Sequence, residues 1–247
     1  MKKISPRKDL IIRTKSEPRM HHDSERVPTG IKGLDEIIGG GFIPSSVNLV
    51  SGGAGAGKTV FALQFLYTGA LRGEKGLFIS MEEELQDLKD DAKTFGWDFD
   101  KLEAEGKVKF VYIYPYEITN FQTLLINEIA QVGAKRVVID STSVLGMALD
   151  NEFEVRKQLY AFASQLKRVG CTSILTSEIV DLKNNRFSRF GVEEFVADSV
   201  ITLHLLSDFK IKESQRAMHI VKMRRTQIPH NLIPIKITPQ GLVVLKK

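Results

Sequence analysis

The chain has 247 residues, of which 43% are hydrophobic and 26% charged, and its formal net charge is +5. These values suit a globular α/β protein that buries a core of its own, and they exclude collagenous, low-complexity and disulfide-stapled chains. Cys171 is the only cysteine, and no run of about 18 apolar residues is present to cross a bilayer. The expectation is a cytoplasmic protein with no membrane partner, because the apolar stretch Leu10-Ile11-Ile12 behind the basic start is too short for a signal peptide.

Residues 1–25 read as a basic N-terminal arm. Residues 1–26 carry eight basic and four acidic side chains, and Pro6 and Pro18 interrupt them. Such a tail either extends into solvent or touches nucleic acid or an acidic partner. Residues 26–247 read as a single domain. Leu34 to Ile38 forms an amphipathic turn closed by Gly39-Gly40-Gly41, and Val47 to Ser51 is a compact apolar strand. A helix follows over about Lys58 to Leu71, with Val60, Leu63, Phe65, Leu66 and Leu71 available for burial. Gly76 to Ser80 is the next strand. Glu82-Glu83-Glu84 then open a helix running to about Phe95.

Val108 to Ile113 predicts a strand, 121–132 a helix, Arg136 to Asp140 a strand, 151–169 a long helix and Cys171 to Thr176 a strand. Beyond residue 180 the pattern becomes mostly strand, at Ser199–Leu206, Ala217–Met223, Ile235–Thr238 and Leu242–Leu245. The alternation predicts a mostly parallel central sheet with helices on both faces, extended by antiparallel strands at its C-terminal end.

Gly52, Gly57, Lys58 and Thr59 match the pattern G-x-x-x-x-G-K-[ST] between a strand and a helix. Glycines let successive N–H groups curl toward phosphate oxygens, and the helix N-terminus adds the positive end of its dipole. The nucleotide-binding stretch is therefore Gly52, Gly53, Ala54, Gly55, Ala56, Gly57, Lys58, Thr59 and Val60. Lys58 brings charge to the β and γ phosphates and so counts as catalytic, while the Thr59 hydroxyl is placed to ligate Mg²⁺. Asp140 closes the apolar run Val137-Val138-Ile139 at the carboxyl end of a buried strand, where ligands bind in open α/β sheets. It is the second candidate metal residue. Glu82 and Glu83 emerge from a neighbouring strand at the same edge. Two adjacent carboxylates raise each other's pKa, which suits a water-activating role, although acidic residues also favour a helix start for purely structural reasons.

In combination these segments resemble the KaiC-type members of the RecA/RadA superfamily. The matching stretches are RVPTGIKGLDEIIGGGF (26–42), the phosphate loop, FISMEEE (78–84), RVVIDS (136–141), LTSEI (175–179), RFGVEEFVADSVI (189–201) and VKMRRT (221–226). The resemblance implies a RecA-like P-loop fold, ATP as ligand with ADP as product, Mg²⁺, and a homohexameric ring. It implies that Glu82 and Glu83 prepare the attacking water, Glu83 foremost. It implies that Lys222 and Arg224 reach across a subunit boundary to a neighbour's γ-phosphate, and it puts Thr94 and Thr226 near the nucleotide. Where the clock proteins carry a phosphorylatable Ser-Thr pair, this chain has Glu194-Phe195, which speaks against autokinase activity. An ATPase with an unidentified protein client is the leading expectation. A DNA- or RNA-acting motor, supported by the basic arm and by 183–189, and a non-hydrolysing nucleotide sensor are the alternatives.

Overall fold

A computed structural model describes residues 25–114, 121–145, 151–179, 186–206 and 215–245. Nine strands form one sheet: β1 (Val47–Gly52), β2 (Gly76–Ser80), β3 (Val108–Tyr112), β4 (Arg136–Asp140), β5 (Thr172–Glu178), β6 (Ser199–Leu206), β7 (Gln215–Met223), β8 (Ile233–Thr238) and β9 (Gly241–Val244). Their order across the sheet is β3-β2-β4-β5-β1-β6-β7-β8-β9. The helices are α1 (Leu34–Ile37), α2 (Lys58–Leu71), α3 (Leu85–Lys93), α4 (Phe99–Ala104), α5 (Phe121–Val132), α6 (Glu152–Arg168) and α7 (Glu193–Val196).

Every residue of β1, β2 and β4 is buried. That is why these strands read as continuous apolar runs rather than alternating ones: both faces are covered. Phe78 and Val138 face α2, α3 and α4 through Phe61, Phe65, Leu66, Leu88 and Phe99. Leu77 and Val137 face α5 and α6 through Phe121, Leu125, Leu159 and Phe162. The expectation of helices on both faces is met. Inside α2 the expected burial needs one correction. Leu71 is exposed, whereas Phe61, Ala62, Gly69 and Ala70 are buried. Gly69 is required there, because a Cβ would lie 2.4 Å from the Arg136 Cδ.

Two further differences have local causes. Helix α4 is absent from the expected elements because it is short and half charged; its signal is Asp98, whose carboxylate accepts the Lys101 N–H at 3.0 Å as an N-cap. The antiparallel extension begins one strand later than the pattern change at residue 180. β6 pairs parallel with β1, Asn48 opposite Ser199 and Gly52 opposite Leu203, and only β7 reverses direction. A parallel neighbour needs a crossover, and the segment with α7 supplies one too short to stand out as a helix.

The sheet therefore has a carboxyl edge, where Gly52, Ser80, Asp140 and Glu178 end their strands, and an amino edge, where Arg136 and Ser199 begin theirs. β7 runs from the first edge to the second and ends with Met223 opposite Ser199.

Candidate active site

The phosphate loop leaves β1 at the carboxyl edge and enters α2 at Lys58. Its shape depends on glycine. Gly55 and Gly57 have φ of +70° and +104°, in the left-handed region. A Cβ on Gly52 would lie 2.5 Å from the Leu203 carbonyl oxygen of β6. Ala56 is fully buried and pins the loop to the core, while Gly53, Ala54 and Gly55 are exposed. The Lys58 ammonium donates to the carbonyls of Gly52 at 3.1 Å and Gly53 at 3.2 Å, so it lies folded over the loop. Val60 is half-buried in the first turn of α2.

Asp140 stands beside this loop, 7% exposed. Its carboxylate accepts from the Thr176 hydroxyl at 2.5 Å, and the Thr59 hydroxyl is near enough to favour its ionised form. Burial raises its pKa above the ordinary aspartate value, opposed by those two hydroxyls and by Lys58. The oxygen pair Thr59 and Asp140 fits a hard cation such as Mg²⁺. Among the described residues no cluster of three His, Cys, Asp or Glu side chains is arranged to hold a metal, so such an ion would draw its remaining ligands from phosphate and water, as Mg²⁺ ordinarily does.

Glu82 and Glu83 lie on the turn between β2 and α3. Ser80 shapes that turn: its hydroxyl donates to the Glu83 carbonyl at 2.5 Å and accepts the Glu83 N–H at 3.2 Å. The Met81 N–H donates to the Asp140 carbonyl at 2.8 Å, tying the turn to the end of β4. Glu82 Oε1 accepts from the Ser141 hydroxyl at 2.5 Å. Partial burial raises the Glu82 pKa, and the neighbouring charges of Asp140 and Glu178 add to it, against the Ser141 hydrogen bond and Lys58. Partial burial also raises the Glu83 pKa, helped by Asp140, Asp91, Glu82 and Asp87. Three carboxyl groups with raised pKa values thus gather at one edge of the sheet, two of them, Glu82 and Asp140, within the influence of Lys58, a concentration expected where chemistry is done.

Lys222 and Arg224 lie at the other edge. Lys222 sits opposite Val200 near the start of β6, and its ammonium donates to the carbonyls of Glu194 at 3.1 Å and Ala197 at 2.7 Å. Burial lowers its pKa, and Arg224 adds to the effect. Arg224 pairs loosely with Asp198 at 3.8 Å and keeps 58% of its side chain exposed. Thr226 donates to the Arg224 carbonyl at 3.2 Å and accepts from Arg26 at 3.0 Å, so it braces this turn and is not near the chain's own loop. Thr94 caps the far end of α3, its hydroxyl donating to the Asp91 carbonyl at 2.7 Å. The nine residues of α3 carry it about 14 Å from the Glu83 end, so it does not join the carboxylate group.

Four groups at the carboxyl edge lie within the matched stretches but are given no role in the sequence analysis. Ser80 holds the main chain of the Glu83 turn, Ser141 and Thr176 donate to the carboxylates of Glu82 and Asp140, and the Glu178 charge bears on Glu82. Their common signal is a hydroxyl or carboxylate at the carboxyl end of a buried strand. Residues 1–24 of the arm and residues 183–185 of the basic loop lie outside the described residues. Arg189 of that loop is within 3.5 Å of Glu178. Trp97 packs in the core and stacks on Tyr67 at 5.7 Å. No helix among the described residues is long and apolar enough to cross a membrane.

The model of the KaiC ATPase family matches residues 27–247. The chain is 34% identical over 234 residues to the circadian clock protein KaiC3 of Synechocystis, covering 90% of this chain and 46% of that protein. It is 33% identical over 233 residues to the circadian clock oscillator protein KaiC of Synechococcus elongatus, covering 90% and 44%. The chain thus spans just under half the length of these curated relatives. Among solved structures it is similar to a KaiC-like protein of the hyperthermophilic archaeon Pyrococcus horikoshii OT3, at 40% identity and a TM-score of 0.81, covering 90% of this chain and 100% of that one.

Proposed function

This chain belongs to the KaiC ATPase family, and we propose that it hydrolyses ATP with Mg²⁺ at a site shared between neighbouring copies in a ring, a hexamer by family resemblance. Residues 52–60 hold the nucleotide. Mg²⁺ between Thr59 and Asp140 would neutralise charge on the β and γ phosphates. Glu83 is the general base and Glu82, held by Ser141, orients the water with it. Water attacks the γ-phosphorus, its proton passes to Glu83, and the bond to the bridging oxygen breaks to release ADP and phosphate. Residues 1–25 are an arm outside this machinery.

The observation that carries the shared site is the distance of Lys222 from its own loop. Arg216, on β7, bonds to the Gly55 carbonyl. Lys222 lies six residues further along the same strand, about 20 Å away at the rise of an antiparallel strand. A lysine at that separation cannot meet the γ-phosphate bound by its own subunit. Exchanging the Glu194 and Ala197 carbonyls for a neighbour's phosphate would put its charge where the transition state spreads negative charge.

Mixing inactive variants tests this. Lys222→Ala and Glu83→Gln subunits are each expected to be nearly inactive alone. Mixed assemblies contain some interfaces in which both residues are native, so activity should return on mixing. Two inactive variants that stay inactive after demonstrated subunit exchange would exclude a site completed in trans.

A further inference from the structure

Arg216, the first residue of β7 with a described side chain, lies outside this mechanism. Its Nε and Nη2 both donate to the Gly55 carbonyl oxygen, at 3.3 and 3.2 Å. Among the described residues, the exposed part of the phosphate loop is held by two cations on different elements: Lys58 on the carbonyls of Gly52 and Gly53, and Arg216 on that of Gly55. The first of these anchors is temporary under the function proposed above. A lysine that moves to phosphate oxygens gives up both of its carbonyls. Arg216 lies on another element and is assigned no phosphate by that function.

The carbonyl it holds is not an arbitrary one. In a trans peptide the C=O of one residue and the N–H of the next point in opposite directions. Fixing the Gly55 oxygen outward, toward β7, therefore fixes the Ala56 N–H on the inner side of the loop, where it now makes a long bond of 3.3 Å to the Gly53 carbonyl. Gly55 has a φ of +70° and lacks a Cβ, so nothing in its own side chain opposes rotation of that peptide. A planar two-donor group on the outer face supplies the missing constraint.

We propose that Arg216 is a positioning residue for the phosphate loop: by clamping the Gly55 carbonyl it keeps the Ala56 N–H turned toward the diphosphate part of a bound nucleotide. The inference rests on the loop being a nucleotide site. It differs from the role proposed for Lys222 in acting within one subunit and on ADP as well as ATP.

The test is the binding of ADP and of ATP to Arg216→Met by calorimetry, with a thermal melt of the nucleotide-free protein as the control for folding. Loss of a charged hydrogen-bond anchor should weaken both nucleotides by roughly tenfold and to the same degree. In turnover the loss should appear in KM, with kcat at saturating ATP falling less than twofold, which a merely misfolded variant would not show. Arg216→Lys, which keeps one donor, should recover part of the affinity. Equal affinity in wild type and Arg216→Met overturns the proposal. A loss confined to ATP overturns it as well, because the contact would then be with the γ-phosphate. If the wild-type chain binds neither nucleotide, the nucleotide reading itself fails and takes this one with it.

Discussion

At the amino edge of the sheet, Arg136 has no exposed surface, yet every side of its guanidinium is answered. Glu74 accepts from Nε at 2.7 Å, and the carbonyls of Pro28 and Phe65 accept from Nη1 at 2.7 and 2.8 Å. Asp198 at the same edge is matched by Lys167 at 2.8 Å and by the Val47 N–H at 2.9 Å. The carboxyl edge is arranged differently. Burial raises the pKa values of Glu82, Glu83 and Asp140, the Asp140 charge raises those of the two glutamates further, and the adjacent Lys58 spends its hydrogen bonds on carbonyls of the loop. Matched charges at one edge hold the N-terminal segment and the strand starts in place. Like charges crowded at the other weaken the fold and are explained by what they attract. Lys222 and Arg224 are the exceptions at the amino edge, and they are the residues whose proposed partner is another copy.

The largest effect that sharpens this contrast is expected from Glu83→Gln. The substitution removes the base while keeping shape and relieving repulsion. We expect kcat to fall about a thousandfold, within the range for loss of a general base, and the melting temperature not to fall. Retained turnover would remove Glu83 from the chemistry. Turnover that is negligible in both wild type and variant, with nucleotide binding intact, would favour a sensor that does not hydrolyse.

The reciprocal experiment is Arg136→Met. Here the guanidinium is lost from a fully buried position, and both oxygens of Glu74 and the carbonyls of Pro28 and Phe65 lose their donor. Breaking a buried ion pair costs about 3 to 5 kcal/mol, and the low end applies because Glu74 retains 31% exposure. Denaturant unfolding should therefore show a loss of about 3 kcal/mol, while kcat per folded molecule changes less than twofold. A variant of normal stability with impaired turnover would break the division between the edges.

How much of this division is legible in the sequence depends on how local its causes are. The phosphate loop and α2 are readable because glycine spacing, strand and helix adjoin one another within twenty-odd residues. Asp140 is readable because a strand covered on both faces must be apolar until it ends. The partners of Lys222 are not readable. They are main-chain carbonyls of Glu194 and Ala197, on a segment more than twenty residues earlier, and any residue offers a carbonyl. Arg216 is hidden for the same reason, and because the apolar pattern starts β7 at Ala217 and leaves the arginine outside it. Arg136 looks like an ordinary strand-edge charge; only Gly69, which leaves room for it, and Glu74, which pairs with it, reveal a buried one. Side chains that answer to distant main chain carry the part of the site that pattern reading does not reach.

The smallest expected effect concerns the coupling inside the acidic edge. Ser141 is fully buried, and its hydroxyl donates to Glu82. Burial raises the Glu82 pKa, and this hydrogen bond is the first influence that opposes it. A general base must be ionised to act, so kcat/KM falls as pH drops through the raised carboxyl pKa values, and the acid limb lies above the ordinary carboxylate range. Ser141→Ala removes an influence that favours the ionised form. The limb should then move to higher pH, with activity on the alkaline plateau little changed. Profiles of kcat/KM taken from the ordinary carboxylate range upward past neutrality read this limb. A limb that stays in place would detach Glu82 from the titrating group and leave Glu83 to set it alone. A shift to lower pH would mean that the hydroxyl favours the protonated form, which contradicts a bond donated to the carboxylate.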